Sequence, residues 1–216
     1  MRLYLSSSRL GNHPQKLVDL VKGNMRAVVV VNACDHLSGE ERLIRVQQEF
    51  AALQSLNFSP SELDLRDYFN KQQKQQELPD LLAACGLIWV RGGNSFVLRR
   101  AMKISSFDRI ILDFLERDAL VYGGFSAGMV MLTPSLYGVN LVDDPKVIPA
   151  GYDPAIIWEG LGVIPYAIAP HYKSDHLESA ATDDLVQYYI DNHMPFKALH
   201  DGEAIVINGK LEEIVT

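Results

Sequence analysis

The stretch Leu120-Val121-Tyr122-Gly123-Gly124-Phe125-Ser126-Ala127-Gly128-Met129 decides how this chain is read. An apolar run, Leu120 to Tyr122, enters Gly-x-Ser-x-Gly, and an apolar, helix-like run follows. That is the layout of a nucleophile elbow, a sharp strand-to-helix turn that pushes a serine hydroxyl out of the sheet edge. Gly124 and Gly128 suit it because a Cβ at either place would meet the turning backbone. Ser126 is therefore a candidate nucleophile of a serine hydrolase. The rest of the chain must then supply a base, an acid and oxyanion donors. A tight turn with a capping serine is the plain alternative.

Outward from the elbow, short apolar runs alternate with helical patterns. Arg26 to Asn32 reads as a strand buried on both faces, since four valines stand in a row. Ser38 to Leu56 reads as a helix: Ser38 and Glu41 form a capping box, and Leu43, Val46, Phe50 and Leu53 line one face. Glu62 to Leu65 is a weak strand and Gly86 to Val90 a strong one. Ser105 to Arg117 is a helix with Phe107, Ile111 and Phe114 inward, and Leu120 to Gly123 is the strand before the elbow. Val163 to Ala169 is another strand and His176 to Asn192 another helix. Ala204 to Asn208 and Lys210 to Val215 form a hairpin around Asn208-Gly209. Gln72 to Gln76 is a loop or a helix start. The alternation predicts an α/β fold, a three-layer αβα sandwich around a mostly parallel sheet, in a single domain over residues 1–216. Functional groups in such sheets gather beyond the carboxyl ends of the strands.

Composition narrows the partners. The 216 residues are 48% hydrophobic and 22% charged, with a net charge of −7. That supports a full core and argues against nucleic acid or an anionic membrane surface as partner. No run approaches a membrane span or a secretory signal, so a cytoplasmic protein is expected, a monomer or homodimer. Cys34 and Cys85 read as two buried free thiols.

Among six histidines, His171 stands out as a base. It follows Gly162 to Pro170, an apolar strand with a proline at its exit, and is the first polar residue there. His13 and His36 sit in solvated early loops, His193 closes a helix, and His176 is placed to cap one. Asp201, in the turn before the last hairpin, is the candidate acid, with Glu203 its rival; Asp183, Asp184 and Asp191 lie on a helix's polar side. Ala127 follows the nucleophile and is one oxyanion donor. Gly93, in the turn Arg91-Gly92-Gly93-Asn94-Ser95 after the strong strand, is the other. That turn lacks the lysine of a phosphate loop and the third spaced glycine of a dinucleotide fingerprint, so no cofactor is implied.

These pieces together resemble the peptidase E (aspartyl dipeptidase) family of serine peptidases, relatives of the cyanophycinases. The resemblance rests on Gly92-Gly93-Asn94-Ser95-Phe96, the Tyr122 to Gly128 elbow, Gly160-Leu161-Gly162-Val163-Ile164-Pro165, Pro170-His171-Tyr172 and Leu199-His200-Asp201-Gly202, in the family's order. It implies a class I glutamine amidotransferase-like (flavodoxin-like) fold and a peptidase of small peptides acting through an acyl-enzyme. It gives Ser126 the role of nucleophile, His171 that of base, and Gly93 and Ala127 those of oxyanion donors. Asp201 falls where peptidase E carries a glutamate. The family's aspartyl specificity needs a cation, an arginine shortly after the histidine, whereas this chain has no arginine after Arg117. Lys173 or Arg91 would then take that part, with Asn94 beside them as a substrate contact.

Three other readings remain open on the sequence. An α/β-hydrolase-type esterase would run Ser126, Asp175, His200. A metal cluster could form from His171, Asp175 and His176, loosely spaced; the triad reading needs no metal. A non-catalytic binding or regulatory protein could keep the elbow as scaffold.

Overall fold

The computed structural model describes residues 1–216. In chain order its first half runs β1 (Arg2–Ser6), α1 (Pro14–Val21), β2 (Arg26–Val30), α2 (Gly39–Gln54), β3 (Ser59–Glu62), α3 (Gln72–Gln75), α4 (Leu78–Ala83) and β4 (Leu87–Val90). The second half runs α5 (Ser95–Ile104), α6 (Phe107–Glu116), β5 (Val121–Phe125), α7 (Ala127–Val130), β6 (Ala167–Ala169), α8 (Ser179–Asp191), β7 (Phe196–Ala198), β8 (Ala204–Asn208) and β9 (Leu211–Val215). Seven strands form one sheet in the order β3-β2-β4-β5-β1-β8-β9. The first five are parallel to one another, and β8 and β9 continue antiparallel.

Alternating side chains divide the core into two. Leu3, Leu5, Val28, Val30, Ile88, Val90, Tyr122, Ile205 and Ile207 pack into one cluster with α5 and α6. Tyr4, Ala27, Val29, Leu87, Trp89, Val121 and Val206 pack into the other with α1 and α2. The strict period of two, apolar on both faces, makes a sheet covered on both sides. No helix is long and apolar enough to cross a membrane.

Among the elements the sequence leaves unmarked are β1, α1, α4 and β7. β1 lies between β5 and β8, so the first residues of the chain form an inner strand beside the elbow. Helix α2 carries the expected capping box on Ser38 and Glu41. Its buried stripe differs from expectation: Val46 and Leu53 are inside, but Arg42 and Glu49 replace Leu43, which is 53% exposed. Each of those two charges has a built partner, Arg42 with Asp35 at 2.5 Å and Glu49 with Trp89 Nε1 at 2.8 Å.

Two strands are placed differently from the reading. The weak strand is Ser59–Glu62 rather than Glu62 to Leu65, and a 3₁₀ turn follows at Leu65–Tyr68. The strand expected from Val163 to Ala169 is only Ala167–Ala169, and it pairs with β7 outside the main sheet. Pro165 cannot donate to a ladder. Val163 and Ile164 give their N–H groups to Leu132 O instead, at 2.9 and 3.2 Å. This segment belongs to a long connection, 132–166, whose regular structure is one 3₁₀ turn, Val139–Leu141, and an isolated bridge between Ser135 and Glu159. Arg100 fastens it. Its buried guanidinium donates to Pro145 O at 2.8 Å, Ala155 O at 2.9 Å, and Val147 O and Pro154 O at 3.3 Å each.

Candidate active site

β5 delivers the chain to Ser126 and α7 carries it away. Ser126 has φ 49° and ψ −120°, a left-handed turn uncommon for a residue with a Cβ. Such strain costs about 1–3 kcal/mol and is kept only where the surroundings fix it. Here Tyr122 Oη donates to Gly128 O at 2.6 Å across the turn, and Ser126 N–H donates to Ser6 O at 3.3 Å. A Cβ on Gly128 would stand 2.1 Å from Val90 O, so glycine is required there. The elbow sits at the carboxyl end of the parallel strands, between β4 and β1.

The expected base and acid follow the two strands of the small β6–β7 pair. Parallel pairing sets Ala169 opposite Ala198, so both chains leave at the same end. His171 follows the first strand and Asp201 the second. His171 Nδ1 lies 2.6 Å from Asp201 Oδ1. Glu203 is turned elsewhere, accepting His200 N–H at 2.8 Å. Burial pushes the His171 imidazole below its ordinary range, and the Asp201 carboxylate partly opposes that. The hydroxyl of Ser126 is not hydrogen-bonded to the ring; such contacts commonly tighten only when substrate binds.

Ser7 is the residue that sequence reasoning missed. It lies just past β1, fully buried. Its hydroxyl accepts His171 N–H at 2.8 Å and reaches Asp201 Oδ1 at 3.1 Å. One side chain thus joins the backbone of His171 to the carboxylate of Asp201. Ser174 adds a second brace, its Oγ accepting Asp201 N–H at 2.7 Å. The signal in the sequence is the short apolar run Leu3-Tyr4-Leu5 that ends on three serines.

The two expected oxyanion donors flank the elbow. Gly93 N–H is taken up by no backbone carbonyl, and Ala127 opens α7, where the first N–H groups have no partner within the helix. The turn holding Gly93 (φ +144°) approaches so closely that a Cβ on Gly92 would lie 2.8 Å from Ser126 Cβ.

Ser126, His171, Gly93 and Arg91 line one cleft of about 410 Å³. Arg9, His36, Arg45, Glu49, His176 and Glu178 line it too. Of the expected substrate contacts, Arg91 is heavily engaged: Nε lies 2.9 Å from Glu49 Oε1, and Nη1 bonds Gly92 O at 2.8 Å. Asn94 and Lys173 are not in the cleft wall. Asn94 caps α5, accepting Val97 N–H at 2.9 Å, and donates to Asp144 O at 3.0 Å. Lys173 is exposed, its Nζ 5.1 Å from the Tyr172 ring centroid. Cys34, buried and free, lies at the cleft beside Arg91, and Cys85 is half-buried rather than buried.

Helix α8 starts at Ser179, not His176, so residues 172–178 form turns that follow His171. The His176 ring stacks on His171 with centroids 3.7 Å apart and planes 7° apart. Ligand atoms of His171, His176 and Glu178 lie within 4.8 Å of one another. Stacked parallel rings direct their in-plane lone pairs side by side rather than at one point, and His176 Nδ1 already accepts Glu178 N–H at 3.2 Å. The arrangement as it stands fits a stacked pair rather than a tetrahedral metal centre. Asp175 and His200, the partners of an α/β-hydrolase order, are both exposed and absent from the cleft wall.

Comparison with known proteins settles the family. The profile described as peptidase family S51 matches residues 5–215. This chain belongs to peptidase family S51. That makes it an enzyme of the serine peptidase class. A Drosophila melanogaster protein named "Probable alpha-aspartyl dipeptidase" is 26% identical over 220 residues, covering 96% of this chain and 83% of its own. Peptidase E of Streptomyces coelicolor is 32% identical over 127 residues, 56% of this chain and 49% of its own. Among solved structures, a Listeria monocytogenes EGD-e protein assigned to peptidase E superposes with a TM-score of 0.79, at 24% identity over 99% of this chain and 97% of its own. A peptidase from an acI-B1 Actinobacterium gives 0.72, at 16% identity over 99% of this chain and 86% of its own. At these identities the two structures speak for the fold.

Proposed function

We propose that the S51 chemistry of this chain is the hydrolysis of small peptides, dipeptides foremost, through Ser126, His171 and Asp201. His171 Nε2 takes the Ser126 proton as the hydroxyl attacks the scissile carbonyl. The tetrahedral oxyanion rests on the N–H groups of Gly93 and Ala127. His171 then protonates the leaving amine, and water, activated by the same imidazole, releases the acyl group from Ser126. Asp201 holds the Nδ1–H tautomer and balances the imidazolium. The observation that carries this reading is the 2.6 Å contact between His171 Nδ1 and Asp201 Oδ1, in the cleft that also holds the strained Ser126.

The arginine that resemblance would assign to an aspartyl side chain has no counterpart after Arg117, and Arg91 is bound to Glu49. Ser126→Ala tests the proposal. Turnover of a dipeptide panel should fall by about 10⁴- to 10⁶-fold, the range for loss of a serine nucleophile. Undiminished turnover would refute it.

A further inference from the structure

The turn that carries Gly93 is built of glycines because nothing larger fits. A Cβ on Gly92 would lie 2.8 Å from Ser126 Cβ, and one on Gly93 2.7 Å from Ala33 O. Gly93 also sits at φ +144°, where a residue with a Cβ is strained. Fixed points stand on either side of the pair. Arg91 N–H donates to Val30 O at 3.0 Å, prolonging the β2–β4 ladder, and Asn94 N–H donates to Ala33 O at 2.9 Å. Between them the Gly92–Gly93 peptide has no backbone partner, either at its oxygen or at its N–H.

A peptide between two glycines turns over with little steric resistance. Its C=O and N–H point in opposite directions because the bond is trans. Whatever holds the oxygen therefore aims the hydrogen.

A side chain holds the oxygen. Arg91 Nη1 donates to Gly92 O at 2.8 Å, and the Cys34 thiol reaches the same oxygen at 3.5 Å. The guanidinium is itself fixed. Its Nε lies 2.9 Å from Glu49 Oε1, Nη1 also contacts Cys34 Sγ at 3.1 Å, and its carbon stands 5.6 Å from the Phe125 ring centroid. Glu49 in turn accepts Trp89 Nε1–H at 2.8 Å. A planar guanidinium can meet a carboxylate and a carbonyl at once through different nitrogens. A cation on the carbonyl oxygen also polarises the amide, which makes the N–H on its far side a stronger donor.

We infer that Arg91 is a positioning residue of the oxyanion site: its hold on Gly92 O keeps the Gly93 N–H aimed at the reacting carbonyl beside Ser126. Arg91 then serves the transition state rather than a side chain of the substrate. The inference rests on the reading of Ser126 as nucleophile and Gly93 as oxyanion donor made above.

Arg91→Met removes the donor and keeps an unbranched side chain. It also leaves Glu49 buried without its cation, so Glu49→Gln/Arg91→Met, whose amide oxygen can still accept Trp89 Nε1–H, is measured beside it. Three quantities are read: the rate of fluorophosphonate labelling at Ser126, protection by 1-aminoethylboronic acid, and protection by Ala-Leu. The boronic acid forms a tetrahedral adduct with an oxygen in the oxyanion site, whereas Ala-Leu binds with a planar carbonyl. Labelling should slow and boronic acid protection weaken, each about 10- to 100-fold, short of the full loss of a donor. Ala-Leu should protect within about threefold of its wild-type concentration, since ground-state binding is not what the peptide serves. Weaker protection by Ala-Leu with the other two unmoved would make Arg91 a substrate contact and overturn the inference. Equal loss in all three, no loss in any, recovery in the double variant, or failure of both variants to fold would overturn it too. Wild-type protein that takes no label at Ser126, or forms no boronic acid adduct there, would overturn the reading underneath, and the inference with it.

Discussion

Asp201→Asn removes one charge from the site and little else. Asp201 is half-exposed at a turn, so the fold should persist, while its Oδ1 stands 2.6 Å from a nearly buried imidazole. Two losses follow. The imidazolium formed during catalysis loses a charge-assisted hydrogen bond, which at about 1.5–3 kcal/mol slows the reaction about 10- to 150-fold. If the asparagine turns its NH₂ toward Nδ1, the ring adopts the opposite tautomer and cannot accept the serine proton; the total then reaches about 10⁴-fold. Proton affinity shifts in a defined direction. Burial already lowers His171, and the Asp201 charge raises it in part. The neutral ring is the active form, so the acid limb of the wild type should have its midpoint below about pH 6.5. Removing Asp201's charge takes away the raising influence and moves that limb to still lower pH. The assay is the second-order rate of fluorophosphonate labelling at Ser126 against pH, beside kcat/KM for a dipeptide. Wild-type rates in the variant, or a limb displaced to higher pH, would show that Asp201 does not serve His171.

Other consequences are as specific. Ser7→Ala leaves the buried His171 N–H without its acceptor, which should cost about 1–3 kcal/mol in urea unfolding and slow Ser126 labelling about tenfold. A variant that loses stability and keeps the full labelling rate would make Ser7 a purely structural group. Arg100→Met strands four carbonyls of the 132–166 connection, so unfolding should require about 3 kcal/mol less, read by urea denaturation. A change under about 0.5 kcal/mol, the range of ordinary surface substitutions, would mean the guanidinium does not hold that segment.

Much of this was legible because the physics was local. The elbow announces itself through glycines that only a tight turn requires, and Ser38 with Glu41 spells a helix start within four residues. The sheet strands Val28 to Val30 and Leu87 to Val90 are apolar on both faces, and so are their surroundings. What stayed hidden depends on pairing across the chain. β1 is short and looks unremarkable until its place between β5 and β8 is known. Leu43 fits an inward helix position better than Arg42 by hydropathy alone; Arg42 wins because Asp35 waits for it. The Val163 to Ala169 run has strand composition, yet Pro165 and the pull of Leu132 O delay its start to Ala167. Lys173 is the cation near His171 in sequence, whereas the arginines that line the cleft are Arg91, which the sequence marks, and Arg9 and Arg45, from a loop and helix more than a hundred residues before Lys173.

The central claim is that Ser126 is an activated nucleophile. Its most direct measurement is mass spectrometry of the purified protein after treatment with a fluorophosphonate, with the adduct mapped by peptide. One adduct on the peptide containing Ser126, absent from Ser126→Ala, is the expected result. No adduct, or one on another residue that persists in Ser126→Ala, would contradict it.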